Sequence, residues 1–134
     1  MKDRVEYRLL KEEWNTVREK INGGFWQTLD RLASESEIII DRPKGSAHPR
    51  YPDYIYPLDY GYLMGTTAMD GGGIDVWRGS SKAGTLDAIM CTVDITKRDS
   101  EIKLLIGCTE EEKALIYQVY NESEFMKGVM IRRE

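Results

Sequence analysis

The stretch Asp70-Gly71-Gly72-Gly73-Ile74-Asp75 places two carboxylates around three consecutive glycines. Asp-Gly pairs favour tight turns, so this stretch predicts a glycine loop at Asp70 and a strand that carries Asp75. Two carboxylates fixed near flexible backbone suit a hard cation such as Mg²⁺, whose remaining positions are filled by water and by phosphate oxygens. The stretch therefore indicates metal-assisted phosphate chemistry.

Short β-branched and alternating runs on both sides of this loop predict five strands. They cover Ile38 to Ile40, Tyr60 to Met64, Ile74 to Arg78, Leu86 to Asp94 and Ile102 to Ile106. Thr109 and Glu112 form a capping-box pattern that opens a helix after the last strand. The pattern predicts an α+β, mainly β fold, a five-stranded OB-like closed barrel with a C-terminal helix. The tail from Met126 carries no clear pattern.

The first third of the chain has helical spacing instead. Apolar residues from Leu9 to Ile21 and from Phe25 to Leu32 predict two helices, separated by Asn22-Gly23-Gly24. We expect an N-terminal helical hairpin whose Trp and Phe side chains (Trp14, Phe25 and Trp26) belong to a core. The chain is expected to form one domain, residues 1–134, with the helical extension over about 5–34 and the barrel with its helix over about 37–121.

Composition narrows the class of protein. The chain has 134 residues, 41% of them hydrophobic and 31% charged, which is the balance of an ordinary globular domain. The formal net charge of −4 disfavours extended nucleic-acid binding, which needs a basic surface. No apolar run approaches the roughly 20 residues that span a bilayer, and the charged N-terminus lacks a signal-peptide core. We therefore expect a cytoplasmic protein with no membrane partner, in which Cys91 and Cys108 are free thiols.

A second motif lies upstream of the glycine loop, Tyr56-Pro57-Leu58-Asp59-Tyr60-Gly61-Tyr62. It is similar to the Tyr-Pro-x-Asn-Tyr-Gly-Tyr motif of the soluble Mg²⁺-dependent inorganic pyrophosphatases. The stretch from Asp70 to Val76 resembles their signature Asp-Gly-Asp-Pro-x-Asp-Val. The resemblance covers about Glu37 to Asn121. It implies an OB-like barrel and the divalent-metal-dependent hydrolysis of pyrophosphate to phosphate, with Mg²⁺, or Mn²⁺ in its place, as cofactor.

The resemblance also implies a set of site residues. Catalytic roles fall to Asp70, Asp75 and Tyr60, and Lys103 matches a lysine that contacts phosphate. The implied metal ligands are Asp70, Asp75, Asp99, Glu101 and Asp41, with Asp94 as a competing choice for Asp99. Four further cations of the loops and strand ends could bind phosphate oxygens: Arg42, Lys44, Arg50 and Arg78.

Departures from the family pattern leave other functions open, and these departures include a shorter loop between Asp41 and Tyr56 and the lack of a Tyr-Lys pair near the C-terminus. Gly72 stands where the family has its middle aspartate, which acts on the attacking water, and Gly73 replaces a proline. His48 or Asp59 is then a hypothetical replacement base. One alternative is a hydrolase of a nucleotide or another organic phosphate on the same fold, and another is a catalytically impaired binding protein. A single-strand binding module would use tyrosines as stacking platforms, but the acidic balance disfavours it. Self-association remains open.

Overall fold

A computed structural model describes residues 10–17 and 23–133. The chain divides into two compact units, residues 1–32 and 33–134. Residues 10–17 are helical (α1), and a second helix, α2, spans Phe25–Ser34 after a turn at Gly23 and Gly24. Both predicted helices are confirmed within the described residues, whereas Leu9 and residues 18–22 lie outside them.

The predicted burial of the N-terminal aromatic residues is only partly correct. Trp26 is buried, but Phe25 is 41% exposed and Trp14 is 59% exposed. Trp14 shares its exposed face of α1 with Leu10 and Val17, because positions three and four apart lie on one side of a helix. No described helix is long and apolar enough to cross a membrane.

The second unit is built on a six-stranded sheet. The strands are β1 (Ile38–Arg42), β2 (Asp59–Leu63), β3 (Ile74–Arg78), β4 (Leu86–Asp94), β5 (Asp99–Ile106) and β6 (Met126–Arg132). Their order in the sheet is β1-β2-β3-β5-β4-β6. The pair β3–β5 is parallel and the other neighbouring pairs are antiparallel. The five predicted strands are therefore present, each within a few residues of its expected bounds.

The predicted closed five-stranded barrel is wrong. A sixth strand, β6, pairs with β4 from Ala88↔Arg132 to Asp94↔Met126 and occupies the edge of β4 that closure would require. Within the described residues β1 and β6 are the two ends of an open sheet. The fold is thus mixed α+β and mainly β, but it is not a closed barrel.

Sequence patterning missed β6 because a glycine interrupts its alternation. Gly128 lies where a Cβ atom would come within 2.6 Å of Met90 Cε and 3.3 Å of Tyr120 Cβ. A strand glycine often marks such a close approach, so the residue that weakens the pattern is required by packing. β6 therefore lies close against Tyr120, which ends the C-terminal helix.

That helix, α3, spans Glu110–Val119 and begins with the predicted capping box. The Thr109 hydroxyl accepts a hydrogen bond from the Glu112 N–H at 3.2 Å, and the Glu112 carboxylate accepts one from the Thr109 N–H at 2.9 Å. Ile116 and Tyr120 pack from this segment against one face of the sheet, in a core completed by side chains of the loop and strands: Tyr56, Leu58, Trp77, Ala88, Met90, Leu105 and Cys108. Both cysteines are free, as expected.

Candidate functional site

A cleft of about 410 Å³ opens on the sheet face that packs against α3. Alternate residues of a strand share one face, so Asp99, Glu101, Lys103 and Leu105 of β5 form one row. Leu105 belongs to the core, and the other three line the cleft. This row of β5 side chains thus begins in the packed core and continues into an open, polar half of the sheet face.

Lys103 lies at the centre of this polar half, and its side chain is only 8% exposed. Its Nζ donates to Asp75 Oδ2 and to Glu101 Oε2, both at 2.7 Å, and to the Tyr60 hydroxyl at 3.2 Å. The ammonium also lies 5.7 Å from the ring centres of Tyr60 and Tyr120. Three strands therefore converge on one buried cation, β2 through Tyr60, β3 through Asp75 and β5 through Glu101.

The surroundings keep Lys103 charged and Tyr60 neutral. Burial by itself would lower the pKa of Lys103, but Tyr120, Tyr60 and the Asp75 carboxylate outweigh burial and raise it. Burial raises the pKa of the Tyr60 hydroxyl, although Lys103 opposes the rise. The floor of the cleft consequently holds a permanent positive charge between two carboxylates and beside a hydroxyl donor.

An aromatic wall rises from this floor into the loop before β2. The rings of Tyr60 and Trp77 lie 4.6 Å apart, those of Tyr56 and Tyr60 5.5 Å apart, and those of His48 and Tyr56 6.1 Å apart. These separations fall in the favourable range for aromatic pairs. The Tyr120 hydroxyl accepts a hydrogen bond from Trp77 Nε1 at 2.9 Å, which ties α3 to the same series of rings.

The neutral ring of His48 is held in one tautomer by its own loop. Its Nδ1 accepts hydrogen bonds from the backbone N–H groups of Arg50, at 3.0 Å, and of Tyr51, at 3.2 Å. The proton of the neutral ring therefore lies on Nε2. Burial and the nearby cations Arg42, Arg50 and Lys97 lower the pKa of His48. The ring is a neutral donor at the cleft, which weakens the hypothesis that His48 is a base.

Two acidic side chains face each other at the other end of the cleft. Asp94 and Asp99 are paired across the β4–β5 hairpin, and both line the cleft. Asp94 Oδ1 accepts from the backbone N–H groups of Thr96, at 2.9 Å, and Lys97, at 3.0 Å. Among the described residues Asp99 has no hydrogen-bond or ion-pair partner, so its carboxylate is free to act on a ligand or on water.

The structure brings together only part of the predicted site. Tyr60, Asp99, Glu101 and Lys103 line the cleft, and Asp75 lies behind Lys103. Asp94, the competing choice, lines it too, so the two carboxylates are not mutually exclusive. Besides Asp75, the predicted residues that do not line the cleft are Asp41, Arg42, Lys44, Arg50, Asp70 and Arg78.

Asp70 is used locally. It is exposed, and its Oδ1 accepts from the Gly72 N–H at 3.0 Å within a turn where Gly71 has φ +87°. The parallel strands β3 and β5 begin at the same end of the sheet, so Asp70 shares that end with Asp99. The prediction of a glycine loop followed by a strand is confirmed, while Asp70 itself stands outside the cleft.

Asp59 and three of the predicted phosphate-binding cations lie at the opposite end of β2 and β3. Asp59 accepts from the Lys44 backbone N–H at 2.9 Å and from Arg78 at 3.1 Å. The Lys44 hydrogen bond, with Arg78, lowers the pKa of Asp59, which makes it a poorer base. Arg42 donates to the Tyr56 hydroxyl and lies over that ring. These groups fasten the loop rather than reach the cleft.

Several cleft residues gave no signal in the sequence. Lys97 lies in the β4–β5 turn, while Trp77, Tyr120 and Thr92 are single residues of elements whose pattern indicates only packing. Thr92 is opposite Glu101 in the hairpin register, so its place follows once that register is known. Tyr120 reaches the cleft only because α3 packs back on the sheet, which no local pattern encodes.

The carboxylates fit a divalent cation that arrives with a phosphate, but not a preformed metal cage. In the part of the chain that the structure describes, no group of three His, Cys, Asp or Glu side chains is arranged to hold a metal ion. Mg²⁺, however, commonly uses one or two carboxylates together with substrate phosphates and water. Asp99 and Glu101, two residues apart on one face of β5, supply such a pair of oxygen donors.

No protein-family model matches the chain, and a search of curated proteins finds no match. The two motifs and the geometry of the cleft therefore carry the functional inference.

Proposed function

We propose that the protein is a divalent-metal-dependent phosphoanhydride hydrolase whose simplest substrate is inorganic pyrophosphate. The observation that carries this proposal is the convergence of Tyr60, Asp75 and Glu101 on the buried Lys103. These residues come from the two motifs that resemble the pyrophosphatases and from the strand expected to complete their site. Their meeting on the floor of one cleft supports a common chemical role.

Hydrolysis of pyrophosphate adds one water molecule and releases two phosphates. A water oxygen forms a bond to one phosphorus, the bond from that phosphorus to the bridging oxygen breaks, and the bridging oxygen leaves on the second phosphate. The protein must neutralise the anion, orient the water and accept its proton. A divalent cation held by Asp99 and Glu101 would supply charge neutralisation and lower the pKa of water.

The residues of the chain divide the remaining work. The Tyr60 hydroxyl, which Lys103 holds in place, presents a donor to phosphate oxygens on the floor. His48 offers its Nε2 proton at the aromatic end. Asp99 has no partner among the described residues, so one of its carboxylate oxygens would hold the cation while the other orients the water and accepts its proton. In this arrangement Asp99 takes the role that Gly72 leaves vacant.

The test measures phosphate release from pyrophosphate with Mg²⁺, with Mn²⁺ and with EDTA. We expect metal-dependent release that falls by at least ~10²-fold in Asp99→Asn, the usual contribution of a positioned base. Because the Asp99 side chain has no described partner, this substitution should leave the fold intact. Asp53→Asn is the matched control, since Asp53 is an exposed loop carboxylate that does not line the cleft.

Asp70→Asn separates the cleft from the glycine loop as the site of chemistry. If Asp70→Asn abolishes release while Asp99→Asn retains it, the proposed cleft is wrong and the loop carries the activity. Release that is equal in wild type, Asp99→Asn and EDTA would refute the proposed hydrolase altogether.

A further inference from the structure

The cleft is larger and more aromatic than a bare pyrophosphate requires. Its volume of about 410 Å³ falls in the range of pockets that enclose organic ligands, roughly 300–1,000 Å³. Polyanions are recognised by cations and N–H donors, yet the lining also includes four rings that are not fully buried: His48, Tyr51 and Tyr54 of the loop and Tyr60 of β2. Apolar ring faces contribute little to binding phosphate oxygens, so they indicate a second ligand part.

Tyr51 has the geometry of a stacking platform. It lines the cleft but remains 59% exposed, and its ring centre lies 5.1 Å from that of His48. The His48 ring thus supports the Tyr51 ring, while much of the Tyr51 ring stays accessible. Aromatic side chains of this kind stack on nucleobases, because every base has a π face.

The loop that carries Tyr51 is held together by its own hydrogen bonds. Backbone hydrogen bonds of 2.9 Å join Gly45 to Tyr56, Ser46 to Tyr56 and His48 to Tyr54, and the tip closes with Tyr54 N–H to Tyr51 C=O at 2.9 Å. The Nδ1 atom of His48 accepts from the N–H groups of Arg50 and Tyr51. A platform held in this way loses little conformational entropy when a ring stacks on it.

The cleft keeps its cation-binding groups apart from its aromatic wall. The cation-binding carboxylates Asp99 and Glu101 lie on the strand side. A ligand with a planar ring at Tyr51 and phosphates directed toward Lys103 would pass from the aromatic wall to the polar floor.

We infer that the natural substrate is a nucleoside polyphosphate whose base stacks on Tyr51 beside His48. This inference rests on the proposed hydrolase function and names its substrate class. Pyrophosphate would then occupy only the floor of the cleft, and the base would add affinity that a ring-free phosphate lacks. Single-stranded nucleic acid is disfavoured as the ligand by the net charge of −4.

The test is calorimetric titration in Mg²⁺ with the β,γ-imido analogues of ATP, GTP, CTP and UTP, and with ring-free imidodiphosphate. We expect at least one nucleotide to bind about 5-fold or more tighter than imidodiphosphate. Tyr51→Ala should weaken that nucleotide by roughly 5- to 100-fold and leave imidodiphosphate unchanged. Tyr51→Phe should retain binding, and Tyr117→Ala, an exposed tyrosine of α3 outside the cleft, should match wild type.

The outcomes separate the substrate class from the hydrolase itself. The inference is overturned if no nucleotide binds more tightly than imidodiphosphate, if Tyr51→Ala changes nothing, or if a thymidine oligonucleotide binds more tightly than every mononucleotide. Pyrophosphate hydrolysis that depends on Asp99 would stand in each of these cases. If the hydrolase proposal is wrong, metal-dependent phosphate release is not observed. Nucleotide binding can still be measured in that case.

Discussion

At the scale of single residues, the role of each polar group in the site depends on the hydrogen bonds and ion pairs that it already makes. Lys103 is fully engaged by Tyr60, Asp75 and Glu101, whereas Asp99 has no described partner. An engaged group supplies a fixed charge, and a free one can exchange protons or bind ligands. This difference, rather than residue type, assigns a positioning role to Lys103 and a reactive role to Asp99.

His48 gives the clearest residue-scale prediction, because the chain contains one histidine and its ring resonance is unambiguous. We expect an NMR titration to give a pKa below the usual value of about 6.5. Arg50→Gln should raise that pKa, since it removes one of the neighbouring cations. Lys82→Gln, which lies in another loop, is the control and should not change it. A pKa above 6.5 in the wild type would contradict the described loop.

The linked effect on stability has a definite sign. The folded protein holds the neutral form of His48, so the unfolded state binds the proton more readily. His48 therefore has no effect on stability well above pH 6.5 and lowers it as the pH falls through 6.5 toward the folded pKa.

The two motifs predicted part of the site because short-range chemistry determines it. The Asp-Gly turn and the strand after it follow from backbone preferences, and both are present. That Asp75 reaches Lys103 requires the parallel pairing of β3 with β5, which joins residues far apart in the chain. The hydrogen bond between the Asp70 carboxylate and Gly72 is also a local interaction. The sequence pattern, however, is the same for an aspartate that binds Mg²⁺ and for one that accepts a hydrogen bond within its own turn.

At the scale of elements, close approach between strands decides which glycines are essential. A Cβ atom at Gly61 of β2 would lie 1.8 Å from the Ile39 carbonyl oxygen of β1. A backbone oxygen cannot move aside without separating the two strands. The Tyr-Gly-Tyr motif is therefore explained by packing at its centre, whatever its flanking tyrosines do in the cleft.

We expect Gly61→Ala to lower the free energy of unfolding by about 3 kcal/mol. Gly128→Ala should cost less, about 1 kcal/mol, because the atom it meets first is the flexible end of Met90. Urea unfolding monitored by tryptophan fluorescence measures both values. Equal losses of unfolding free energy at the two positions would show that the β1–β2 backbone contact adjusts as readily as the Met90 side chain.

The missed strand has the same physical origin. Regular alternation predicted five strands, but β6 contains Gly128 and lies at an edge, where the pattern of burial is weak. Neither five strands followed by a helix nor the resemblance to a barrel family determines whether a sheet closes. Whether the sheet stays open depends on which strand pairs with the last one. β6 pairs with β4 through contacts that local sequence patterns do not predict.

At the scale of the whole molecule, hydrogen-bonded carboxylates make the fold sensitive to acid. The Lys44 N–H and Arg78 lower the pKa of Asp59, and for Glu112 the Thr109 and Ser80 N–H groups outweigh burial and lower its pKa. Glu112 joins the start of α3 to Ser80, which follows β3. These carboxylates stabilise the folded state above their unfolded pKa, near 4, and the effect is lost as the pH falls through their lower folded values.

We therefore expect stability to fall between about pH 4.5 and pH 3. Glu112→Gln should be about 1.5 kcal/mol less stable than wild type at pH 7, and the difference should shrink at pH 3. Urea midpoints measured at several pH values test this expectation. Glu124→Gln, an exposed loop substitution, provides the control. A difference between wild type and Glu112→Gln that stays constant with pH would exclude a role for its charge.

The single parallel pair of strands divides the sheet into two halves, β1-β2-β3 and β5-β4-β6. Each half is an antiparallel array made from one continuous stretch of chain, and β3–β5 is the seam between them. Asp75 and Lys103 lie on opposite sides of this seam and are joined across it by a hydrogen bond of 2.7 Å. The floor of the cleft therefore exists only where the two halves have paired. Ligand binding during refolding would thus report the joining of the two halves, whereas strand formation within either half would not.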